Sequence, residues 1–506
     1  MIARVAGYVL RGSALVCAMV GGGLWLSNGW DPKYVLVLMV AVLLAGGSLL
    51  NSSRQVNIAL SWMAIMLTCY TVNFFLAFAD ASTESEPPTR WVSFQSGEER
   101  TDRAEAARRL GVPFDTRSRL DVLSDLRADG LDAWPTVSPR VLIREWWTHF
   151  HGANFPTQDR PSMLTLNGHE VLPIGGIANK PTVYCNENGT YPIYQSDEHG
   201  FANPPGLWGQ VPLQIAVVGD SFVHGACVET GQSYVDILRD RFPGTLNLGN
   251  DGIGPLFQYA AITEYLPSRK PRLILWSYFE GNDLYDLLKE RHTLMRRYLE
   301  DDFTQELEAK QEGIDLALMA HVESAERARS SAGKLVAFGD QLVHPFKHID
   351  KWKRTLKLSY VAEVIESSLM PRPNAVALAS EKPFQPSVND ADLALFRRIL
   401  EKALRRVEGW GGKMIFVYLP RHARYVPGVG GQPDRARVME TVRSLNIPIV
   451  DLHPVFLAQP DPLDLFPFRL PTHYNPTGNR VVAEAILLYL DRSGLARDIA
   501  VAEAGG

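Results

Sequence analysis

From residue 213 onward the sequence alternates short apolar runs with amphipathic segments, and this alternation constrains the fold more than any other feature. "LQIAVVGD" is an almost unbroken apolar run closed by glycine, the pattern of a strand buried on both faces. "SYVDILRDRF" follows, with Tyr234, Ile237, Leu238 and Phe242 at helical spacing. "GTLNLGNDGIGP" reads as a short strand and a glycine-rich turn, "QYAAITEYL" as a helix, and "RLILWSYFEGND" as another strand. Two more strands, "KMIFVYLP" and "IPIVDLHPVF", flank the helix "DRARVMETVRSL". The closing helix starts in "NPTGNRVVAEAILLYLDRSG", with Asn475 as N-cap and Pro476 at the first helical position. Strands and helices in alternation imply an α/β fold, a parallel sheet covered by helices on both faces. The domain is expected to span 213–492, interrupted over 284–389 by a charged, mostly helical insertion. That insertion reads either as a cap or partner surface, or as a solvated helix pair.

Residues 80–212 are expected to form a linker and lead-in subdomain. Helical spacing recurs at Ala104–Leu110 and Leu120–Leu126, and residues 136–212 are rich in Pro, Gly and Asn, as irregular chain with short strands is. "WWTHFHG" holds His149 and His151, but no third ligand stands at a suitable spacing, so an aromatic surface cluster is the better reading. The four cysteines form no CxxC or Cys/His cluster, and no metal site or cofactor is expected. A net charge of −5 gives no electrostatic case for nucleic acid as a partner.

The N-terminal 79 residues are apolar in three stretches without charge, Gly12–Trp30, Tyr34–Ser53 and Gln55–Ala79. Each is about the length of a bilayer-spanning helix, so 1–79 is expected to be an anchor with three transmembrane helices in a lipid bilayer. Arg4, Arg11 and Arg54 would lie inside, which places everything after about residue 80 outside the cytoplasm, on a multi-pass inner-membrane protein. Cys185 and Cys227 are the two cysteines of that outer part, and either a disulfide or two separate buried thiols fits them.

In a parallel α/β sheet, ligands bind beyond the carboxyl ends of the strands. Ser221 follows the first strand in "VVGDSFVHG", Gly252 the second in "NLGNDG", Asn282 the third in "EGNDL", and His473 precedes the last helix in "THYNPTGN". Those four segments, in that order, resemble the four sequence blocks of the SGNH (GDSL-type) hydrolase family, in its membrane-anchored bacterial form. The resemblance implies a three-layer α/β/α, flavodoxin-like domain, with Ser221 as nucleophile, His473 as base, and Ser221, Gly252 and Asn282 as oxyanion hole. The chemistry suits these residue types. A hydroxyl attacks only when a base takes its proton. The oxyanion then needs fixed donors, here the N–H groups of Ser221 and Gly252 and the side-chain amide of Asn282.

One position departs from the family pattern. Members carry an acid two or three residues before the histidine, where this chain has Pro471 and Leu470. The nearest upstream carboxylates are Asp464 and Asp461. Asp464 folding back onto His473, or a backbone carbonyl holding the ring, are the two arrangements left open. The expected function is a membrane-anchored extracytoplasmic serine esterase that removes acyl groups, O-acetyl first among them, from a glycan or similar ester. An O-acyltransferase acting on surface polysaccharide beside polysaccharide-biosynthesis proteins, and an inactive glycan-binding protein, are the alternatives.

Overall fold

Five parallel strands form the central sheet of the computed structural model: β1 (Ile215–Val218), β2 (Thr245–Asn247), β3 (Leu273–Phe279), β4 (Lys413–Leu419) and β5 (Ile449–Asp451). Residues 2–28, 32–84, 97–143, 161–209, 213–329, 388–428 and 434–500 are described. The strand order is β5-β4-β3-β1-β2, the doubly wound order of flavodoxin-like sheets. Val217 stands level with Asn247 of β2 on one side and Leu275 of β3 on the other.

Side chains alternate across the sheet, as the pleat requires. Ala216, Val218, Ile274, Trp276, Phe416 and Tyr418 join one core, with helices Pro255–Tyr265, Asp390–Gly409 and Arg435–Arg443. Ile215, Val217, Leu273, Leu275, Ile415 and Val417 join the other, with helices Tyr234–Arg241, Leu452–Leu457 and Pro476–Arg492. All four residues of β1 are fully buried, which is why its sequence is apolar without interruption. After β2 the chain returns past β1 to form β3, so the direction of winding reverses between β1 and β3. The crevice beyond their carboxyl ends is the expected ligand site.

The chain divides into two compact units. The second holds every described residue from Gly97 on, so the sheet and the residues that lead into it belong together. The lead-in part has helices Gly97–Arg109 and Arg119–Ala128 and short strands, among them Pro181–Val183 and Ile193–Gln195. Of the expected 284–389 insertion, helix Gln311–Arg329 is described; 330–387, like His149 and His151, lie outside the described residues.

The first unit holds the three N-terminal helices, Ile2–Asn28, Pro32–Gly47 and Ser52–Glu84. They correct the expected membrane anchor: among the described residues, no helix is long and apolar enough to cross a membrane. The second helix has 16 residues. At 1.5 Å per residue it reaches about 24 Å, short of the ~30 Å hydrocarbon core. The first and third have 27 and 33 residues, but Gly21, Gly22, Gly23, Ser27 and Asn28 lower the apolarity of one, and Asn57, Ser61, Thr68, Thr71 and Asn73 that of the other. The multi-pass location and the extracytoplasmic orientation inferred from those spans fall with them.

Candidate active site

Ser221 starts a single helical turn, Ser221–His224, three residues beyond Val218, the last residue of β1. Asp220 caps this turn by accepting the Phe222 N–H at 3.0 Å, and burial pushes its own carboxyl up to about 7. Gly219 allows the sharp exit: a Cβ there would lie 2.2 Å from Val223 Cγ2 and 2.9 Å from the Ser277 carbonyl oxygen. Asp283 accepts the Phe279 N–H at 3.2 Å and the Gln258 amide at 3.3 Å, and so braces the neighbouring strand end.

His473 precedes helix Pro476–Arg492, whose N-cap Asn475 accepts the Gly478 N–H at 2.9 Å. This anchors the ring over the serine: Ser221 Oγ and His473 Nε2 are 2.8 Å apart. The Phe222 ring lies 4.8 Å from the imidazole, centroid to centroid. His224, the other histidine near the serine, is no base. Its Nε2 meets the Tyr194 hydroxyl at 2.9 Å, and burial pulls its pKa down to about 3.

The acid that orients His473 is Glu187, from the lead-in part of the chain. Its Oε2 lies 3.0 Å from His473 Nδ1 and also accepts the His473 backbone N–H at 3.0 Å. One oxygen therefore fixes both the ring and the residue that carries it. With Glu187 ionised, the imidazole proton sits on Nδ1, and Nε2 is free to accept from Ser221. Neither expected arrangement around His473 forms. Asp464 and Asp461 both pair with Arg469, and Asp464 stays largely exposed. Phe468 and Arg469, between these carboxylates and His473, take left-handed backbone conformations, φ +53° and +60°.

Two features hold Glu187 in place. Cys185, two residues before it, forms a disulfide with Cys227, six residues after Ser221. Asn188 adds a bond to the Cys227 carbonyl at 2.8 Å, and Thr190 one to Glu229 at 3.0 Å, so this segment is stitched to the serine loop. Behind the carboxylate, Arg103 of helix Gly97–Arg109 lies 3.5 Å from Glu187 Oε1. Burial opposes ionisation of Glu187, but His473 and Arg103 outweigh it and hold its pKa at about 2. Burial also works against a charged His473, yet Glu187 more than compensates, and the histidine pKa ends above its usual value. Glu187, Cys227 and His473 place ligand-type atoms within 4.8 Å of one another. Because the Cys227 sulfur is already bonded to Cys185, this grouping is a triad beside a disulfide and not a metal set.

The expected oxyanion donors follow β2 and β3, the two strands that flank β1. Gly252 has φ +62°, and a Cβ there would lie 1.5 Å from Arg140 Nη2, so glycine is demanded by the turn and by a guanidinium packed on it. Its N–H makes no backbone hydrogen bond among the described residues. Asn282 gives an amide N–H to Asp286 Oδ2 at 3.0 Å, and its side chain also hydrogen-bonds Asp220, the residue before the serine. Of the residues expected from sequence, Ser221 and His473 are in contact, Gly252 and Asn282 follow the strands on either side of β1, and Asp464 pairs with Arg469 and not with His473. Glu187, Arg103 and Arg140 were missed. The one signal for Glu187 lay in "YCNENG", two residues from a cysteine whose partner follows the serine.

No family model matches this chain, and no curated protein does. Solved structures similar to it include a protein described as a G-D-S-L family lipolytic protein from Desulfitobacterium hafniense DCB-2, 12% identical, TM-score 0.28, covering 54% of this chain and 97% of that one. The acetyl xylan esterase AlAXEase is 11% identical, TM-score 0.29, with coverages of 55% and 99%. A two-domain esterase active on acetylated mannans is 12% identical, TM-score 0.28, with coverages of 55% and 49%.

Proposed function

We propose that the protein is a serine ester hydrolase that works through Ser221, His473 and Glu187. The observation that carries this reading is the continuous line from Ser221 Oγ through both ring nitrogens of His473 to a buried carboxylate, at 2.8 and 3.0 Å. In the first step the Ser221 oxygen bonds to the ester carbonyl carbon as His473 Nε2 takes the hydroxyl proton. Glu187 stabilises the imidazolium, and the N–H groups of Ser221 and Gly252 with the Asn282 amide receive the oxyanion. Collapse breaks the bond to the leaving alcohol, which takes the proton from Nε2. Water, activated by the same histidine, then releases the acid from the acyl-serine.

Ser221 is only 5% exposed, which favours a small acyl group such as acetyl over a long chain. A cleft opens beside Asn282, lined by Tyr278, Tyr285 and Tyr418 together with Glu280, Asp434 and Arg435. Aromatic faces mixed with charged groups suit a polar ring, so an O-acetylated glycan is the proposed substrate class. The buried acid beside His473 counts against the alternative of an inactive binding protein. The test is reaction of the full chain with a fluorophosphonate and an aryl acetate. Wild type should label and turn over, and Ser221→Ala should do neither. A wild type that does neither overturns the proposal. Turnover that rises only when a sugar acceptor is added would identify a transferase instead.

A further inference from the structure

We propose that Arg140 is a positioning residue that braces two oxyanion donors at once, Gly252 and Asn282. Arg140 lies in the short helix Pro139–Leu142 of the lead-in part, and its side chain is 11% exposed. At one edge its guanidinium fills the space over Gly252, where a Cβ would lie 1.5 Å from Nη2. At the other, Nη1 lies 3.3 Å from Asp286 Oδ1. Asp286, itself 3% exposed as a side chain, accepts the Asn282 amide on Oδ2 at 3.0 Å and donates its N–H to the Asn282 carbonyl at 2.7 Å. Lys289 also reaches Asp286 Oδ1, at 3.1 Å. A further chain runs from Arg140 Nε to Ser138 Oγ at 3.3 Å and from that hydroxyl to the Asp251 carbonyl at 2.8 Å, next to Gly252.

One planar cation therefore packs on the first donor and, through one carboxylate, orients the second. A guanidinium can do both because its donors form a rigid fork, whereas an ammonium is a point charge. Donor placement matters most when charge develops on the carbonyl oxygen, so the brace should act on the rate and not on ground-state binding. Its catalytic consequence rests on the ester-hydrolase reading, while the brace itself is a matter of geometry.

The test uses the full chain with Arg140→Ala, Arg140→Lys and Asp286→Asn. Arg140→Ala should lower both fluorophosphonate labelling and kcat for an aryl acetate by about 10–100-fold, from loss of an aligned donor. KM should stay within about twofold. Arg140→Lys should recover only part of the loss. Combining Arg140→Ala with Asp286→Asn should cost no more than the larger single change, because the two act as one unit. The crystal structure of Arg140→Ala should show the Gly252 turn or the Asn282 side chain displaced. Unmoved donors with wild-type labelling, or a rise in KM alone, overturn the inference. If wild type itself neither labels nor turns over, the hydrolase reading fails, and the Arg140→Ala structure still decides the brace by whether those two residues move. Should Arg140→Ala not fold, labelling and the structure of Arg140→Lys decide in the same way.

Discussion

Replacing Glu187 by Gln changes the charge beside His473 and almost nothing of the shape. In the native protein Oε2 receives both the Nδ1 proton and the backbone N–H of His473, at 3.0 Å each. The amide can meet this arrangement in two ways. With its oxygen toward the ring, the tautomer is kept, but the imidazolium formed during attack loses its counter-charge. With its nitrogen toward the ring, the proton moves to Nε2, which can then no longer accept from Ser221. The second case, in serine-protease triads, costs about 10⁴ in kcat. The expected loss here is about 10³–10⁴, or ~4–5.5 kcal/mol of barrier. Arg103 would be left facing a neutral group in a nearly buried place, side chain 11% exposed. Unpairing such a charge costs about 3 kcal/mol of stability. The pH dependence adds a signature. Catalysis needs neutral His473, and Glu187 raises its pKa, so activity in wild type should rise through a midpoint above the ordinary histidine value of 6.5. In Glu187→Gln that midpoint should move to lower pH, under a much lower plateau. The assay is kcat/KM for an aryl acetate across the pH range, with Asp464→Asn alongside and unfolding measured for each protein. A Glu187→Gln enzyme within about threefold of wild type, or an equal loss in Asp464→Asn, would refute the assignment of the acid.

Three further outcomes follow from the same geometry. Because Glu187 is held at about 2 and not its usual 4.5, its contribution to stability is complete above about 4.5 and fades as pH falls toward 2. Thermal unfolding between pH 6 and pH 3 should therefore fall more steeply in wild type than in Glu187→Gln, with a full contribution of about 3 kcal/mol. Replacing Cys185 and Cys227 together by Ser opens a loop of sequence separation 42. Chain entropy alone makes that worth about 4 kcal/mol, read by denaturant unfolding, and kcat should fall because Glu187 is no longer tied to the serine loop. Gly252→Ala should unfold readily or lose activity through its clash with Arg140. Adding Arg140→Ala should restore stability in part, leaving the strain of a left-handed alanine, about 1 kcal/mol.

How much of this could be read from the sequence depended on whether the information was local. Strands β1, β3 and β4 were legible because they are buried on both faces and so carry nearly unbroken apolar runs, as in Ile215–Val218, while the short edge strands β2 and β5 were legible from the alternation around them. Ser221, Gly252, Asn282 and His473 were legible because each follows a strand or precedes a helix whose end fixes its place. Glu187 was not: 286 residues separate it from His473, and no periodicity links them. The pairing of Cys185 with Cys227 ties that segment to the serine loop, and the sequence left the pairing open. Searching for the acid upstream of His473 failed because Arg469 takes up both Asp461 and Asp464. The N-terminal spans misled for a different reason. Absence of charge over a stretch is not the same as sustained apolarity, and Gly, Ser, Asn and Thr dilute those runs.

The central claim is that Ser221 carries the acyl group. The direct measurement is rapid acid quenching of the full chain during turnover of an aryl acetate, followed by peptide mass spectrometry. Acetyl should appear on the peptide containing Ser221, accumulate when deacylation is slowed, and be absent from Ser221→Ala. Acetyl on another residue, or undiminished turnover by Ser221→Ala, would contradict the account.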